Sequence, residues 1–140
     1  MLRQFFVGGG TSLINITIHA LVMTMVVRIA KTASRKKISH PSLFLIAVMI
    51  PTVSVLMVTH ALEVIVWSLA YSIVDAAPTD SNLVYFAFVN YTTLGYGDVV
   101  PVERWRLLGP MTAMNGVLLF GWSTAVIFEV LRKALALQQR

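Results

Sequence analysis

The residues best suited to chemistry in this chain are the seven from Thr92 to Asp98, which read T-T-L-G-Y-G-D. Gly95 and Gly97 alternate with larger residues, and glycine adopts left-handed backbone torsions that residues with a Cβ resist. Such torsions allow successive carbonyl oxygens to point toward one axis. A row of carbonyl oxygens can replace the water around a cation, which otherwise costs tens of kcal/mol to bury.

The chain as a whole has the composition of a membrane protein. It is 57% hydrophobic and 12% charged, with a mean hydropathy of +0.78, whereas a soluble domain carries about twice that charged fraction. The absence of cysteine excludes disulfides and thiolate metal sites. A net charge of +5 would suggest nucleic acid in a soluble protein. Here the basic residues flank apolar segments, so membrane topology explains them and no nucleic-acid partner is expected.

Three membrane spans and one short helix are predicted around the glycine-bearing segment. The predicted order is an N-terminal transmembrane helix in 1–30, a basic loop in 31–42, an outer helix in 43–74, a short helix in 82–92, the segment 93–97, an inner helix in 106–132 and a short tail to 140. Because the second span is longer than a bilayer core, it must tilt and project or bend near Pro51. Asp80 or Ser81 is expected to cap the short helix.

The distribution of charge predicts the topology. Eight of the eleven lysines and arginines fall on one proposed side of the membrane: Arg28, Lys31, Arg35, Lys36, Lys37, Arg132, Lys133 and Arg140. Cytoplasmic loops carry such an excess, so this side is predicted to be the cytoplasm. The N-terminus and the segment 93–97 are then predicted to lie outside.

The pattern T-T-x-G-Y-G-D between two spans resembles the selectivity filter of potassium channels, specifically the small bacterial pore-domain type. The resemblance covers about 43–133 and includes Pro101 after the filter, Trp105 and Leu108 at the next helix, and Gly116 to Gly121 within it. It implies an all-α fold: a helical transmembrane protein with a two-span pore unit and pore helix, to which this chain adds one N-terminal transmembrane helix.

The resemblance also implies what the filter binds and how the chain assembles. Thr93, Leu94, Gly95, Tyr96 and Gly97 would form the filter, with potassium ions held by the backbone carbonyls of the first four. Thr92 and Asp98 would support it. One chain supplies one strand of such a ring, so the expected assembly is a homotetramer in the lipid bilayer. No cofactor is expected besides bound K⁺.

Two positions depart from the best-known bacterial pattern. Leu94 stands where valine is usual, which keeps the carbonyl but changes the packing behind the filter. Val89 stands where some relatives have a glutamate that pairs with the filter aspartate. Asp98 then requires another partner, for which Tyr85, Asn90 and water are the candidates, and the family's inactivation behaviour does not carry over.

The inner helix carries a candidate cavity lining and gate. Its residues at spacings of three, four and four share one face: Val117, Phe120, Thr124 and Phe128. By the resemblance this face lines the cavity below the filter, and the Phe128 ring is a candidate hydrophobic gate that closes by dewetting. The alternative is ordinary packing between helices. Gly116 and Gly121 are likewise either a hinge or sites of close helix packing.

Polar residues inside the first two spans form a second candidate site. His60 and Glu63 share one face of the second span, and their depth matches that of Asn15 and His19 in the first. We expect the stripe of the first helix that contains Asn15 and His19 to face His60 and Glu63. Either these residues join the helices by neutral hydrogen bonds, or histidine protonation gates the channel. His60 and Glu63 alone are too few ligands for a metal site.

Taken together, the sequence predicts a homotetrameric, potassium-selective channel of the bacterial inner membrane that conducts passively. A weakly selective cation channel and a non-conducting structural or regulatory subunit remain as alternatives. No catalytic motif is present, so the chain is not predicted to be an enzyme, and no helix has the repeated arginines of a voltage sensor.

Overall fold

A computed structural model describes residues 1–33 and 41–138, and within those ranges every regular element is helical. The elements are α1 (Leu2–Ala33), α2 (Pro41–Val74), α3 (Leu83–Tyr91), a 3₁₀ turn (Glu103–Trp105) and α4 (Leu108–Gln138). Three segments are long and apolar enough to cross a membrane: Leu2–Ile29, Ser42–Val74 and Glu103–Ala136. The prediction of an all-helical transmembrane protein is confirmed.

The long helices extend further than their predicted apolar spans. Helix α1 continues to Ala33, into the predicted basic loop, and α2 begins at Pro41. Arginine and lysine are good helix formers, so charge ends an apolar span without ending the helix. Arg35, Lys36 and Lys37 lie outside the described residues. Helix α2 runs through Pro51 as one element of 34 residues, about 51 Å at 1.5 Å per residue.

The predicted ends of the two later helices also need correction. Asn82, rather than Asp80 or Ser81, caps α3, because its side chain accepts a hydrogen bond from the backbone N–H of Tyr85. Helix α4 begins at Leu108 instead of residue 106, since the 3₁₀ turn occupies the residues before it. It ends at Gln138, beyond the predicted 132, because strong helix formers such as Ala134 and Leu135 follow.

The short helix α3 is held between α2 and α4 by an apolar cluster that we call the outer cluster. Its fully buried members come from α2, α3, α4 and the turn after α2: Val64, Trp67, Tyr71, Ala76, Phe86, Ala87, Tyr91 and Leu108. The Tyr71 hydroxyl lies 2.5 Å from that of Thr112, and Trp67 donates to the side chain of Asn115. These two contacts fix how α2 packs on α4, and Asn90 of α3 adds a side-chain hydrogen bond to the Tyr71 hydroxyl at 3.4 Å.

Helix α1 packs on α2 and α4 along its length. At its first turn the Gln4 side chain accepts a hydrogen bond from the Leu107 N–H at 2.8 Å. Toward its other end, Met23 and Val26 join a second buried cluster from three helices: Met23, Val26, Leu56, Val126 and Val130. The N-terminus of α1 therefore lies at the same end of the molecule as α3.

Candidate ion-conduction site

The segment after α3 turns back on the last turn of that helix through its own N–H groups. Thr93 N–H donates to the carbonyl of Asn90 at 3.0 Å, and the N–H groups of Leu94 and Gly95 donate to the carbonyl of Val89 at 3.0 and 3.3 Å. These bonds use the carboxyl end of α3, where free carbonyls carry partial negative charge. The amide hydrogens of Thr93, Leu94 and Gly95 are thus directed toward α3.

The backbone torsions favour carbonyl oxygens on the other side. Thr93, Gly95 and Gly97 have positive φ values of 61°, 60° and 80°, whereas Leu94 and Tyr96 do not. When left-handed and right-handed residues alternate, successive N–H groups share one side of the chain and successive carbonyls share the other. Threonine at positive φ costs about 1–2 kcal/mol, so the surrounding structure must hold Thr93 in place.

Thr92 and Asp98 bracket this segment with side-chain hydrogen bonds. The Thr92 hydroxyl donates to the carbonyl of Phe88 at 2.8 Å, which extends the last turn of α3. Tyr85 donates its hydroxyl to the Asp98 carboxylate at 2.7 Å, so the aspartate has a partner although Val89 replaces the glutamate of some relatives. That hydrogen bond raises the pKa of the Tyr85 phenol and keeps it a donor.

The predicted filter, residues 93–97, which we call the filter segment, is open to its surroundings in the single chain. Every residue from Thr93 to Asp98 is exposed, and the apolar side chains of Leu94 and Tyr96 are 54% and 68% exposed. Exposed large apolar groups beside a backbone that presents carbonyls are typical of a surface that meets further protein. The carbonyl side of the segment is therefore free to face an axis shared with other copies.

Two faces of α4 have opposite environments. One face is buried against the other helices: Thr112, Asn115, Leu119, Ser123, Val126 and Val130. The predicted cavity face is exposed: Val117, Phe120, Thr124 and Phe128. Phe120 is 37% exposed and also packs on His60, with ring centroids 4.5 Å apart, whereas Phe128 is 66% exposed. Packing within the chain therefore does not explain why a large aromatic residue stands at position 128.

The two glycines of α4 serve different purposes. A Cβ added to Gly116 would collide with the carbonyl of Tyr91, whereas one added to Gly121 would meet nothing within 4 Å. Gly116 thus allows α4 to pass close to the end of α3, which is the commoner use of small residues between membrane helices. Of the two predicted hinge residues, only Gly121 has room around it within the chain.

We expect Gly116→Ala to lower the free energy of unfolding by about 1–3 kcal/mol, the usual cost of overpacking, because the neighbouring atoms are backbone and must move. Thermal unfolding of the purified protein in detergent measures the difference. Gly121→Ala is the matched control and should be neutral or stabilising, since alanine is the better helix former. Equal melting temperatures for Gly116→Ala and the wild type would contradict this explanation.

Behind the filter, the structure brings together the four polar residues predicted from the first two spans. Glu63 lies at the centre: its carboxylate is 2.8 Å from His19 Nδ1 and 2.9 Å from His60 Nδ1. Asn15 donates to the backbone carbonyl of Glu63 at 3.1 Å. Glu63, His19 and Asn15 have no exposed surface, so this contact between α1 and α2 excludes solvent.

Two members of this group were not predicted. Tyr91, the last residue of α3, donates its hydroxyl to the Glu63 carboxylate. Ser123 of α4 lies 2.9 Å from His60 Nε2 and 3.4 Å from His19 Nε2. We call His19, His60, Glu63, Tyr91 and Ser123 the polar cluster. The spacing of Asn115 and Ser123 on one face of an apolar helix is a signal that could have indicated Ser123, whereas nothing local marks Tyr91.

Three membrane-length helices, with a short helix and a carbonyl-presenting segment between the last two, define a multi-pass membrane protein of channel architecture. A family model for ion channels matches residues 55–133, which is more than half of the chain, and the chain therefore belongs to this ion channel family. The match covers most of α2, all of α3 and the filter segment, and α4 to Lys133, but not α1. No curated protein and no solved structure matches the chain.

Proposed function

We propose that this chain assembles as a homotetramer and conducts K⁺ passively and selectively across the bacterial inner membrane. The observation that carries the proposal is the backbone of the filter segment. Alternating torsions at Thr93, Gly95 and Gly97, together with N–H groups that donate to Val89, leave a row of carbonyls on the opposite side. Four such rows around an axis replace the hydration shell of a potassium ion.

Family membership and exposure support the assembly. One chain offers one carbonyl row, and a closed cyclic homo-oligomer is the usual way for identical chains to form a ring. The exposed side chains of Leu94 and Tyr96 would then pack against neighbouring subunits. The carboxyl end of α3 points its partial negative charge toward the filter, which favours a cation there.

The proposed orientation follows from the position of α1. Its N-terminus lies at the filter end of the molecule, as the contact between Gln4 and Leu107 shows. The opposite end of α4 carries Arg132 and Lys133, which pair with Glu129 at 2.8 and 2.7 Å. By the excess of basic residues in cytoplasmic segments, we place that end in the cytoplasm and the filter and N-terminus outside.

Purified protein reconstituted in liposomes tests this function. We expect K⁺ flux down an imposed gradient, and reversal potentials in mixed K⁺ and Na⁺ that follow the K⁺ gradient. A reversal potential that does not change with the ratio of K⁺ to Na⁺ concentrations would indicate a weakly selective cation channel. An intact tetramer that passes neither ion would mean a non-conducting subunit.

The inner mouth supplies a prediction about gating. Phe128 lies on the proposed cavity face, one turn before Arg132, and packs little within its own chain. Four such rings around the axis would form a hydrophobic constriction that closes by dewetting. We expect Phe128→Ala to raise single-channel open probability.

Leu118→Ala is the matched control for this gate. Leu118 is 60% exposed on another face of the same helix, so its truncation should leave open probability unchanged. An unchanged open probability in Phe128→Ala would remove this residue from the gate and assign its ring to packing between subunits.

A further inference from the structure

The four contacts that join the two imidazoles to Glu63 and Ser123 require one hydrogen more than these side chains supply when both rings are neutral. Each of the two imidazole rings contacts Glu63 through Nδ1 and Ser123 through Nε2. Each of these four contacts needs one hydrogen, and an ionised carboxylate supplies none. Two neutral imidazoles and one hydroxyl supply three. A proton on one ring, or a metal ion between the rings and the carboxylate, would supply the missing positive group.

One arrangement of hydrogens that Ser123 permits suits a metal ion. Its oxygen can accept from both Nε2–H groups, at 2.9 Å from His60 and 3.4 Å from His19. Both Nδ1 lone pairs then face the Glu63 carboxylate, to which the Tyr91 hydroxyl also donates, so a bound cation would be stabilised by two nitrogens and a carboxylate. Metal-binding histidines characteristically donate their second ring nitrogen to such an outer partner, which sets the tautomer and the ring orientation.

The ligand atoms already have nearly the spacing of a metal site. One nitrogen of each histidine and one carboxylate oxygen all lie within 4.8 Å of one another, and the nitrogen-to-oxygen distances are 2.8 and 2.9 Å. A tetrahedral ion with bonds of about 2.0–2.2 Å separates its ligands by about 3.3–3.6 Å. Each ring must therefore move back by only about half an ångström, within the same rotamer.

We propose that His19, His60 and Glu63 bind a first-row divalent transition metal ion, with the Tyr91 hydroxyl at the fourth position. Two imidazoles and one glutamate are a recurrent zinc ligand set, and imidazole nitrogen disfavours K⁺, Mg²⁺ and Ca²⁺, which prefer oxygen. The Tyr91 hydroxyl contacts the Glu63 carboxylate and lies 2.9 Å from His60 Nδ1. The site is independent of which ion the channel conducts.

The site would join three helices directly behind the filter. His19 comes from α1, His60 and Glu63 from α2, and Tyr91 ends α3 two residues before Thr93. The ion has a route of access beside His60, whose side chain is 14% exposed and packs on the half-exposed ring of Phe120. A bound ion would therefore brace the end of the helix that carries the filter.

Zinc binding by the purified full chain tests the proposal. Protein in detergent is stripped with a chelator, titrated with ZnCl₂, desalted and analysed for zinc per chain, and the bound ion is examined by X-ray absorption. We expect one Zn²⁺ per chain with two nitrogen ligands at about 2.0–2.1 Å. His60→Gln should lose the ion. Ser123→Ala, which keeps every ligand, should weaken binding by about 10–100-fold.

The matched control is Glu129→Gln, which removes a carboxylate that pairs only outside the cluster, with Arg132 and Lys133; it should bind zinc as the wild type does. Ser123→Ala keeps the proposal testable if His60→Gln fails to fold. The proposal is overturned if the intact wild type retains no zinc, which would leave a proton as the missing cation. It is equally overturned if His60→Gln and Ser123→Ala bind zinc as tightly as the wild type.

Discussion

Gly95→Ala is expected to abolish K⁺ flux through reconstituted protein while leaving the assembly intact. Gly95 has a φ of +60°, and an added Cβ would meet only the Thr93 carbonyl oxygen, at 3.8 Å. Space is therefore available, and the penalty comes from the backbone conformation. A residue with a Cβ pays about 1–2 kcal/mol to adopt left-handed torsions. Four copies in the proposed tetramer would pay about 4–8 kcal/mol at a single ring of carbonyls.

The filter can relieve this strain by turning the peptide, which removes carbonyl oxygens from the axis. Because each 1.4 kcal/mol is a factor of ten in an equilibrium, a quarter of the penalty should already reduce flux by roughly tenfold, and the full penalty should abolish it. The matched control is Gly10→Ala, in α1, where an added Cβ meets nothing within 4 Å; it should conduct normally. Undiminished, K⁺-selective flux through Gly95→Ala would show that this backbone does not form the filter.

Glu63→Ala is expected to lower the free energy of unfolding by several kcal/mol. The carboxylate is fully buried and accepts or shares hydrogen bonds with His19, His60 and Tyr91. Removing one partner of a buried charged group costs about 3–5 kcal/mol, because the remaining polar groups are left without compensation. Helix α1 would lose its main polar contact with α2 at the same time.

Unfolding in mixed micelles, with a chelator present so that bound metal does not contribute, measures this effect. Glu63→Gln keeps the shape and one acceptor oxygen, and should lose less. The control carboxylate is Glu129, whose pairs with Arg132 and Lys133 lie at the exposed surface; Glu129→Gln should leave the free energy of unfolding nearly unchanged. Equal losses for Glu63→Ala and Glu129→Gln would mean that the polar cluster does not hold the helices together.

The elements of this protein follow from local features of its sequence. Long apolar runs predict the three spans, because in a bilayer the backbone N–H and C=O groups can form hydrogen bonds only with each other, as they do in a helix. Alternating glycines predict the torsions of the filter segment, because few other residues tolerate positive φ values. The ends of the helices were less predictable. Asn82 caps α3 although Asp80 and Ser81 are equally good capping residues, and α4 runs past Arg132 because charge does not stop a helix.

The partners of Asp98 and Gly116 were decided by packing. The sequence left three candidates for the aspartate, and the approach of α3 to the filter selects Tyr85. It also left Gly116 as either hinge or contact, and only the passage of α4 beside the Tyr91 carbonyl shows the contact. Neither outcome is encoded in the neighbouring residues, because the first depends on how α3 meets the loop that carries Asp98 and the second on how α4 passes the end of α3.

The polar cluster shows most clearly which contacts the sequence predicts and which depend on tertiary packing. Residue spacing places His60 beside Glu63 on one helix face, and depth in the membrane matches Asn15 and His19 to them. Spacing marks Ser123 as a polar residue on an apolar helix, but it cannot place Ser123 or Tyr91 against Glu63, because they lie 60 and 28 residues beyond it. Tertiary packing of four helices joins a pair of polar residues, too few to hold a metal ion, with the further residues of the site that we propose to bind one.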